Sequence, residues 1–210
     1  MTIPRGPRDS KATRERLLRA ALELFTADGF LGTTTPALAA RAGTAEGTIY
    51  RHFASKEALL NEVYRESQRW LIGLLREVET DRAKTPGKLT HLAQRLVLAA
   101  ADDPARVRMA LLPRDVRFFD APSREAAREF RDGLQHLIAT GKSDGLVRSG
   151  PADLWASVWL ALVSFVAERI CAGEWTPEHP QVAQTIEVAW EAIGARSTSV
   201  RADAPAASQT

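Results

Sequence analysis

Behind Ser55, residues Leu60, Val63, Tyr64, Ser67, Leu71, Leu74, Leu75 and Val78 recur at spacings of three and four. Only an α-helix gathers such a series onto one face. Ser55 is placed to cap this helix, and the pattern fades near Thr80. The same period governs nearly every other segment, and nothing reads convincingly as a strand. The chain is therefore expected to be all-α, with about nine helices.

Punctuation residues set the boundaries. Leu17, Ala21, Leu24 and Phe25 follow a cap candidate at Ser10 and stop at Asp28-Gly29. Thr35 before Pro36 predicts a second, short helix over 36–42, closed by Gly43, with Pro36 at its first position. A third short helix lies within 44–52. Beyond the long fourth helix, the pattern predicts helices over about 86–101, 104–113, 122–140, 151–172 and 177–193, the seventh stopping at Gly141. The tail from Arg196 has no apolar period and is expected to be disordered. This divides the chain into residues 1–54, 55–195 and 196–210.

Charge is uneven along the chain. Residues 1–56 carry nine Lys/Arg against five Asp/Glu, whereas residues 57–210 carry 19 against 21. A basic head on a slightly acidic body suits an anionic partner, although a solvated basic arm has the same composition. The single cysteine, Cys171, allows no internal disulfide and points to a reducing compartment. The basic N-terminus lacks the apolar core of a signal peptide, and the longest apolar stretch, 154–166, is short for a membrane span. The reading is cytoplasmic, with no membrane partner.

The segment TAEGTIYRHFASKEALL, residues 44–60, concentrates hydrogen-bond donors. Thr48, Tyr50, Arg51 and His52 all offer polar hydrogens, and Lys56 follows at the next helix start. Ile49 and Phe53, four apart, can share an inward face, leaving the other sides for a partner. Gly47 weakens the helix by about 1 kcal/mol relative to alanine but lets another surface come close. Three helices within about 53 residues, the last two joined at a glycine turn, have the layout of a helix-turn-helix unit.

The stretch TTTPALAARAGTAEGTIYRHFASKEALL resembles the DNA-binding head of the tetracycline-repressor-like (TetR) family of bacterial transcriptional regulators. Thr34, Thr35, Leu38, Ala39, Ala42, Gly43, Gly47, Thr48, Ile49, Tyr50, His52, Phe53, Ser55, Lys56, Glu57 and Leu60 fit the family pattern, and the likeness covers about residues 12–62. It implies that Thr35 lies against phosphate, that Thr48, Tyr50 and His52 meet the DNA backbone or base edges, and that Lys56 grips a phosphate. Each has a plainer alternative: Thr35 as a cap alone, Tyr50 as packing, His52 as a satisfied helix end, Lys56 as a solvated charge. Two positions depart from the pattern. Ala45 stands where a serine cap is common, so Thr44 is the cap candidate. Glu46 either complements the helix dipole or accepts from a cytosine amine in the major groove.

In the body, the eighth helix is apolar nearly all round, through Trp155, Val158, Trp159, Leu162, Phe165 and Val166, and must be covered on several sides. With Val182, Ile186, Ala189, Trp190 and Ile193 of the ninth, it suits a four-helix bundle with a symmetry mate. The family likeness implies the same homodimer, and Trp155, Leu162, Ile186 and Trp190 are its expected contacts. The likeness also implies a small-molecule effector in the region of Trp70, Met109, Arg114, Arg117, Phe118, His136 and Trp159. The arginines beside Phe118-Phe119 suggest an apolar effector with an anionic or polar end.

Enzyme readings find little support. ATGKSDG, residues 139–145, resembles the end of a phosphate loop, but His136 stands where the motif needs glycine and a helix precedes it instead of a strand. Zinc, nucleophile-elbow and dinucleotide motifs are missing, and no cofactor or metal is expected. The reading is a non-enzymatic regulator, most simply a repressor that leaves a palindromic double-stranded operator when it binds its effector. An all-helical interaction module, or a regulator without an effector, is the alternative.

Overall fold

The computed structural model describes residues 7–195, with side chains from residue 10 onward. The tail expected to be disordered lies outside the described residues. Nine α-helices occur among them: α1 Pro7–Gly32, α2 Thr35–Ala42, α3 Glu46–His52, α4 Lys56–Glu79, α5 Thr85–Asp102, α6 Pro104–Leu111, α7 Ala121–Ser143, α8 Ala152–Cys171 and α9 Pro180–Glu191. A 3-10 turn, Val116–Phe118, and one isolated antiparallel bridge, Val147 to Gly194, complete the described secondary structure.

Three expected helix ends differ from the structure: α1 already begins at Pro7, so Ser10 is inside the helix and not its cap, α9 begins at Pro180 behind His179 instead of at 177, and α7 passes Gly141. The expected stop at Gly29 holds: the backbone leaves the helix there at φ 75° and ψ 168°, a conformation essentially confined to glycine, and a last short turn follows to Gly32. α7 does not stop at Gly141; it runs on to Ser143. Gly141 is there for contact, because a Cβ at this position would lie 2.7 Å from Thr85 Cγ2 and 2.9 Å from its Oγ1. The missing side chain lets α7 press against the start of α5.

The cores explain the architecture. One joins Leu17, Phe25 and Phe30 of α1 with Leu38 of α2, Ile49 of α3 and Leu59, Leu60, Val63 and Tyr64 of α4. Another joins Leu71, Leu74, Leu75 and Val78 of α4 to Leu89 and Leu92 of α5, Leu134 and Ile138 of α7, and Trp159 and Val163 of α8. The stripe on α4 is thus buried along its length, half in each core. A division at residues 54/55 cuts the chain at the Ser55 cap, whose hydroxyl accepts from Ala58 N, but the head borrows the first half of α4.

Ion pairs brace this junction. Arg14 of α1 lies 3.0 Å from Glu62 of α4, and Glu62 also meets Arg65 at 2.8 Å and Arg69 at 3.2 Å. Arg65 reaches on to Asp120 at 3.0 Å, before α7. Burial alone would push the Glu62 carboxyl up, but hydrogen bonds from Arg65, Arg14 and Arg69 outweigh it and hold the group below its ordinary range. Asp120 follows the same balance: desolvation opposes ionisation, and Ser123 and Arg65 overcome it.

α8 is long and apolar enough to cross a membrane by length and composition, but its inward residues Trp159, Val163, Val166 and Ile170 are core. Its exposed apolar residues are Leu154 and Phe165; α9 adds Val188. The four expected dimer contacts are half-buried. Trp155, Leu162, Ile186 and Trp190 are partly buried against their own subunit's core, because the helix faces they occupy are claimed by α5 and α7.

Gly141→Val should lower unfolding free energy in urea by about 1–3 kcal/mol through overpacking, and Thr85→Ala, which removes two of the three close atoms, should recover part of the loss. Glu62→Gln should cost roughly 1 kcal/mol near pH 7 and progressively less as the pH falls below the ordinary carboxylate range. A carboxyl held low when folded contributes stability above its unfolded pKa and loses it as pH falls through the folded value. Urea midpoints of both proteins across that window check the sign.

Candidate functional site

The helix-turn-helix is set by local chemistry. Thr34, and not Thr35, caps α2: its Oγ1 accepts from Ala37 N at 3.3 Å. Thr35 is the first helical residue and Pro36 the second. The expected cap is displaced by one residue because proline is equally free of a partner at the second position, where the N–H is also an orphan. α2 closes at Gly43, whose φ is 63°, and Thr44 N returns to Ala39 O at 2.9 Å. α3 begins at Glu46 behind Ala45, with no side-chain cap hydrogen bond. Thr44 does not supply one, since its hydroxyl points to the carbonyl of Ala45 at 3.3 Å.

α3 is sharply two-sided. Ile49 is 0% exposed and Phe53 is buried, as their spacing requires, while Tyr50 is 54% exposed. Glu46, Gly47 and Arg51 are exposed, and Thr48 and His52 are half-buried. A Cβ at Gly47 would meet nothing within 4 Å, so this glycine leaves open space on the outer side. Neither the Tyr50 hydroxyl nor the Arg51 guanidinium has a hydrogen-bond or ion-pair partner among the described residues. Nearby Arg41 is committed instead to Glu23 of α1, at 2.7 Å from its Nε.

Lys56 has a structural task that the sequence did not reveal. Its Nζ donates to Phe30 O and to Thr33 O, both at 2.8 Å, and lies 4.2 Å from the centroid of the Phe30 ring. Two of its three N–H donors therefore satisfy carbonyls at the end of α1. The side chain is neither a solvated charge nor freely available to phosphate.

The seven effector candidates do not converge. Trp159 is 1% exposed and fills the body core. His136 is exposed on α7. Arg117 lies over Phe118, 4.8 Å from the ring centroid, and Phe118 packs on Phe30 at 4.3 Å. Trp70 lines a separate cleft between α1 and α4, beneath Arg106. Only Met109 and Arg114 share a cleft. Sequence reasoning grouped residues by neighbourhood along the chain, and helical phase then sent them to different faces.

The cleft that holds Met109 and Arg114 has a volume of about 410 Å³. Phe25 and Thr26 of α1 and Leu60 of α4 form one wall; Met109, Leu112 and Phe119 form another. Arg108, Arg114, Asp115 and Glu168 supply its charge. Arg108 donates to Cys171 O, and Asp115 accepts from Phe30 N at 2.7 Å. These charged residues were missed, apart from Arg114, because nothing in the linear pattern brings α8 to the end of α6. Among the described residues no cluster of His, Cys, Asp and Glu could hold a metal ion.

The profile of the tetR family of bacterial regulatory proteins matches residues 17–63, the three-helix head and the start of α4. The HTH-type transcriptional repressor KstR2 of Mycolicibacterium smegmatis is 31% identical over 147 residues, which are 66% of this chain and 71% of that protein. The HTH-type transcriptional regulator UidR of Escherichia coli K12 is 35% identical over 69 residues, 33% of this chain and 35% of its own. A TetR family transcription regulator from Marinobacter aquaeolei VT8 shares the fold at a TM-score of 0.78 and 18% identity, covering 91% of this chain and all of that one. The donor-bearing helix, the helix-turn-helix around it and a relative matched across both head and body lead to one conclusion: the chain belongs to the TetR family of DNA-binding transcriptional regulators.

Proposed function

We propose that the protein is a ligand-responsive repressor that binds a palindromic operator as a homodimer in the cytoplasm and is released by a small apolar effector with an acidic group. The observation that carries the DNA part is the outer side of α3. Tyr50 and Arg51 project without partners from a helix whose other side is locked into the core by Ile49 and Phe53. Unpartnered donors on a rigid helix suit phosphate and base-edge contacts in a major groove. Thr35, at the first position of α2, and Thr48 and His52, on the flanks of α3, would meet the backbone beside them. Glu46, exposed and unpaired, would face bases, since near phosphates it would be repelled. Lys56 would act chiefly by fixing the head, with one N–H left for DNA.

The dimer reading rests on the apolar residues that α8 and α9 leave outside. Leu154, Phe165 and Val188 are each more than two-fifths exposed, and burying them against a second copy would give a four-helix interface. A dimer is also what places two α3 helices about one DNA turn apart, roughly 34–36 Å, on successive half-sites. The KstR2 relative is a transcriptional repressor, and repression is the simplest outcome of occupying an operator.

Selection of bound duplexes from a random pool should return a palindrome. On that duplex, Tyr50→Phe should weaken binding without changing the thermal midpoint. Arg51→Ala should also flatten the salt dependence by about one unit, as for one lost phosphate contact. Unaltered affinity and slope in both variants would remove α3 from the interface. Phe165→Glu should convert the dimer to monomer or aggregate in light scattering, whereas a wild type that is a clean monomer at micromolar concentration would end the dimer reading.

A further inference from the structure

The cleft at the end of α6 lies between parts of the molecule with different tasks. Phe25, Thr26 and Leu60 belong to the head and to the portion of α4 it borrows; Leu112, Arg114 and Glu168 belong to the body. At the edge, Asp115 both lines the cleft and holds Phe30 N at 2.7 Å. Phe30 directly follows Gly29, the break in α1, where the helix no longer satisfies its own N–H groups. Asp115 is therefore a clasp between the body loop and the point at which α1 turns toward the helix-turn-helix. The clasp and the cleft share one residue, so a molecule that fills the cleft cannot avoid it.

The chemistry of the lining narrows the occupant. Arg114 has no hydrogen-bond or ion-pair partner among the described residues, and Arg108 gives one bond to the Cys171 carbonyl out of five available donors. Two guanidinium groups in a lining that also holds Phe25, Leu60 and Phe119 suit a carboxylate with an apolar body. Glu168, also unpaired, opposes a second negative charge and so disfavours dianions. The volume of about 410 Å³ falls within the range of small-molecule sites, about 300–1,000 Å³.

We propose that this cleft takes an amphipathic monocarboxylic acid, its carboxylate on Arg108 and Arg114, and that filling it separates Asp115 from Phe30 and loosens the hold of the 112–119 loop on the end of α1. The proposal rests on the ligand-responsive reading above and names the site, the ligand class and the contact through which the head feels it. A ligand wedged between the walls pushes the 112–119 loop from α1, and the bond at the edge is the first to lengthen. A carboxylate on Arg114 also brings negative charge beside Asp115, which penalises the closed arrangement.

The test uses the full chain without DNA, so its failure and the failure of operator binding are separate results. Octanoate, decanoate and phenylbutyrate, each paired with its primary amide, are titrated by calorimetry, and exchange of the Phe30 amide hydrogen is followed by NMR. At least one acid should bind about tenfold more tightly than its amide, and Arg114→Met, a change at an exposed side chain, should erase that preference. The saturating acid should speed Phe30 exchange by about tenfold, and Asp115→Ala should do so with no ligand present. Binding by none of the acids, equal binding of acid and amide, or a bound acid that leaves Phe30 as protected as before would each overturn the proposal.

Discussion

The way α1 ends decides where the outer face of α3 points. Gly29 breaks the helix, and Phe30 and Thr33 are left with carbonyls that no helical N–H can reach. The Lys56 ammonium takes both and sits over the Phe30 ring, gaining a cation–π contribution while it does so. Lys56 is also the first residue of α4. One side chain thus finishes α1 and anchors α4, and α2 starts only a few residues from this knot. Remove the knot and the angle among α1, α2 and α4 loses its definition, together with the floor on which α3 is packed through Ile49 and Phe53.

From that knot outward, coupling between head and body is carried by a small set of polar bonds laid over apolar contacts. Asn61 of α4 donates to Phe118 O and accepts from Asp120 N and the Ser123 hydroxyl, while Tyr64 stacks on Phe119 with ring centroids 3.9 Å apart. The 112–120 loop is therefore held on one side by α4 and on the other by α1, through Asp115. α4 has half its apolar stripe in each core, which makes it a stiff connection. On the α1 side the loop is held by the Asp115 bond to Phe30 N and by the packing of Phe118 on the Phe30 ring at 4.3 Å. Any ligand that weakens DNA binding through this region must, by linkage, be weakened by DNA to the same degree.

The head was legible because its determinants are local. Ser55 capping α4, Gly43 closing α2 and the burial of Ile49 and Phe53 all follow from residues a few positions apart. The one-residue error at Thr34/Thr35 came from two adjacent threonines that are equal as caps until the backbone chooses. The body was legible in helix number and in buried stripes, but not in who touches whom. Gly141 read as a stop because a glycine needed for close approach to Thr85 looks the same in sequence as one needed for a turn. The dispersal of the effector candidates was hidden for a related reason: Trp159, His136 and Arg117 are near one another in the order of helices, and only three-dimensional phase reveals that one is core, one faces solvent and one lies over a phenylalanine. Asp115 gave no signal at all, since its partner is a backbone N–H 85 positions away.

The location of the cleft follows from the same distribution of packing. Between α4, α5, α7 and α8, Trp159 and its leucine neighbours form a buried core, and protein interiors of this kind are close-packed. The cleft beside α6 is different. Phe25 and Leu60 on one part of its lining and Met109 and Phe119 on another lie in one shared core, and Phe118 packs on Phe30 across the same junction. What keeps the cleft open is its charged lining, Arg108, Arg114, Asp115 and Glu168. Such groups are costly to bury without partners and so hold water-accessible space beside them, whereas a void among Leu134, Ile138 and Trp159 would lose packing contacts on every side.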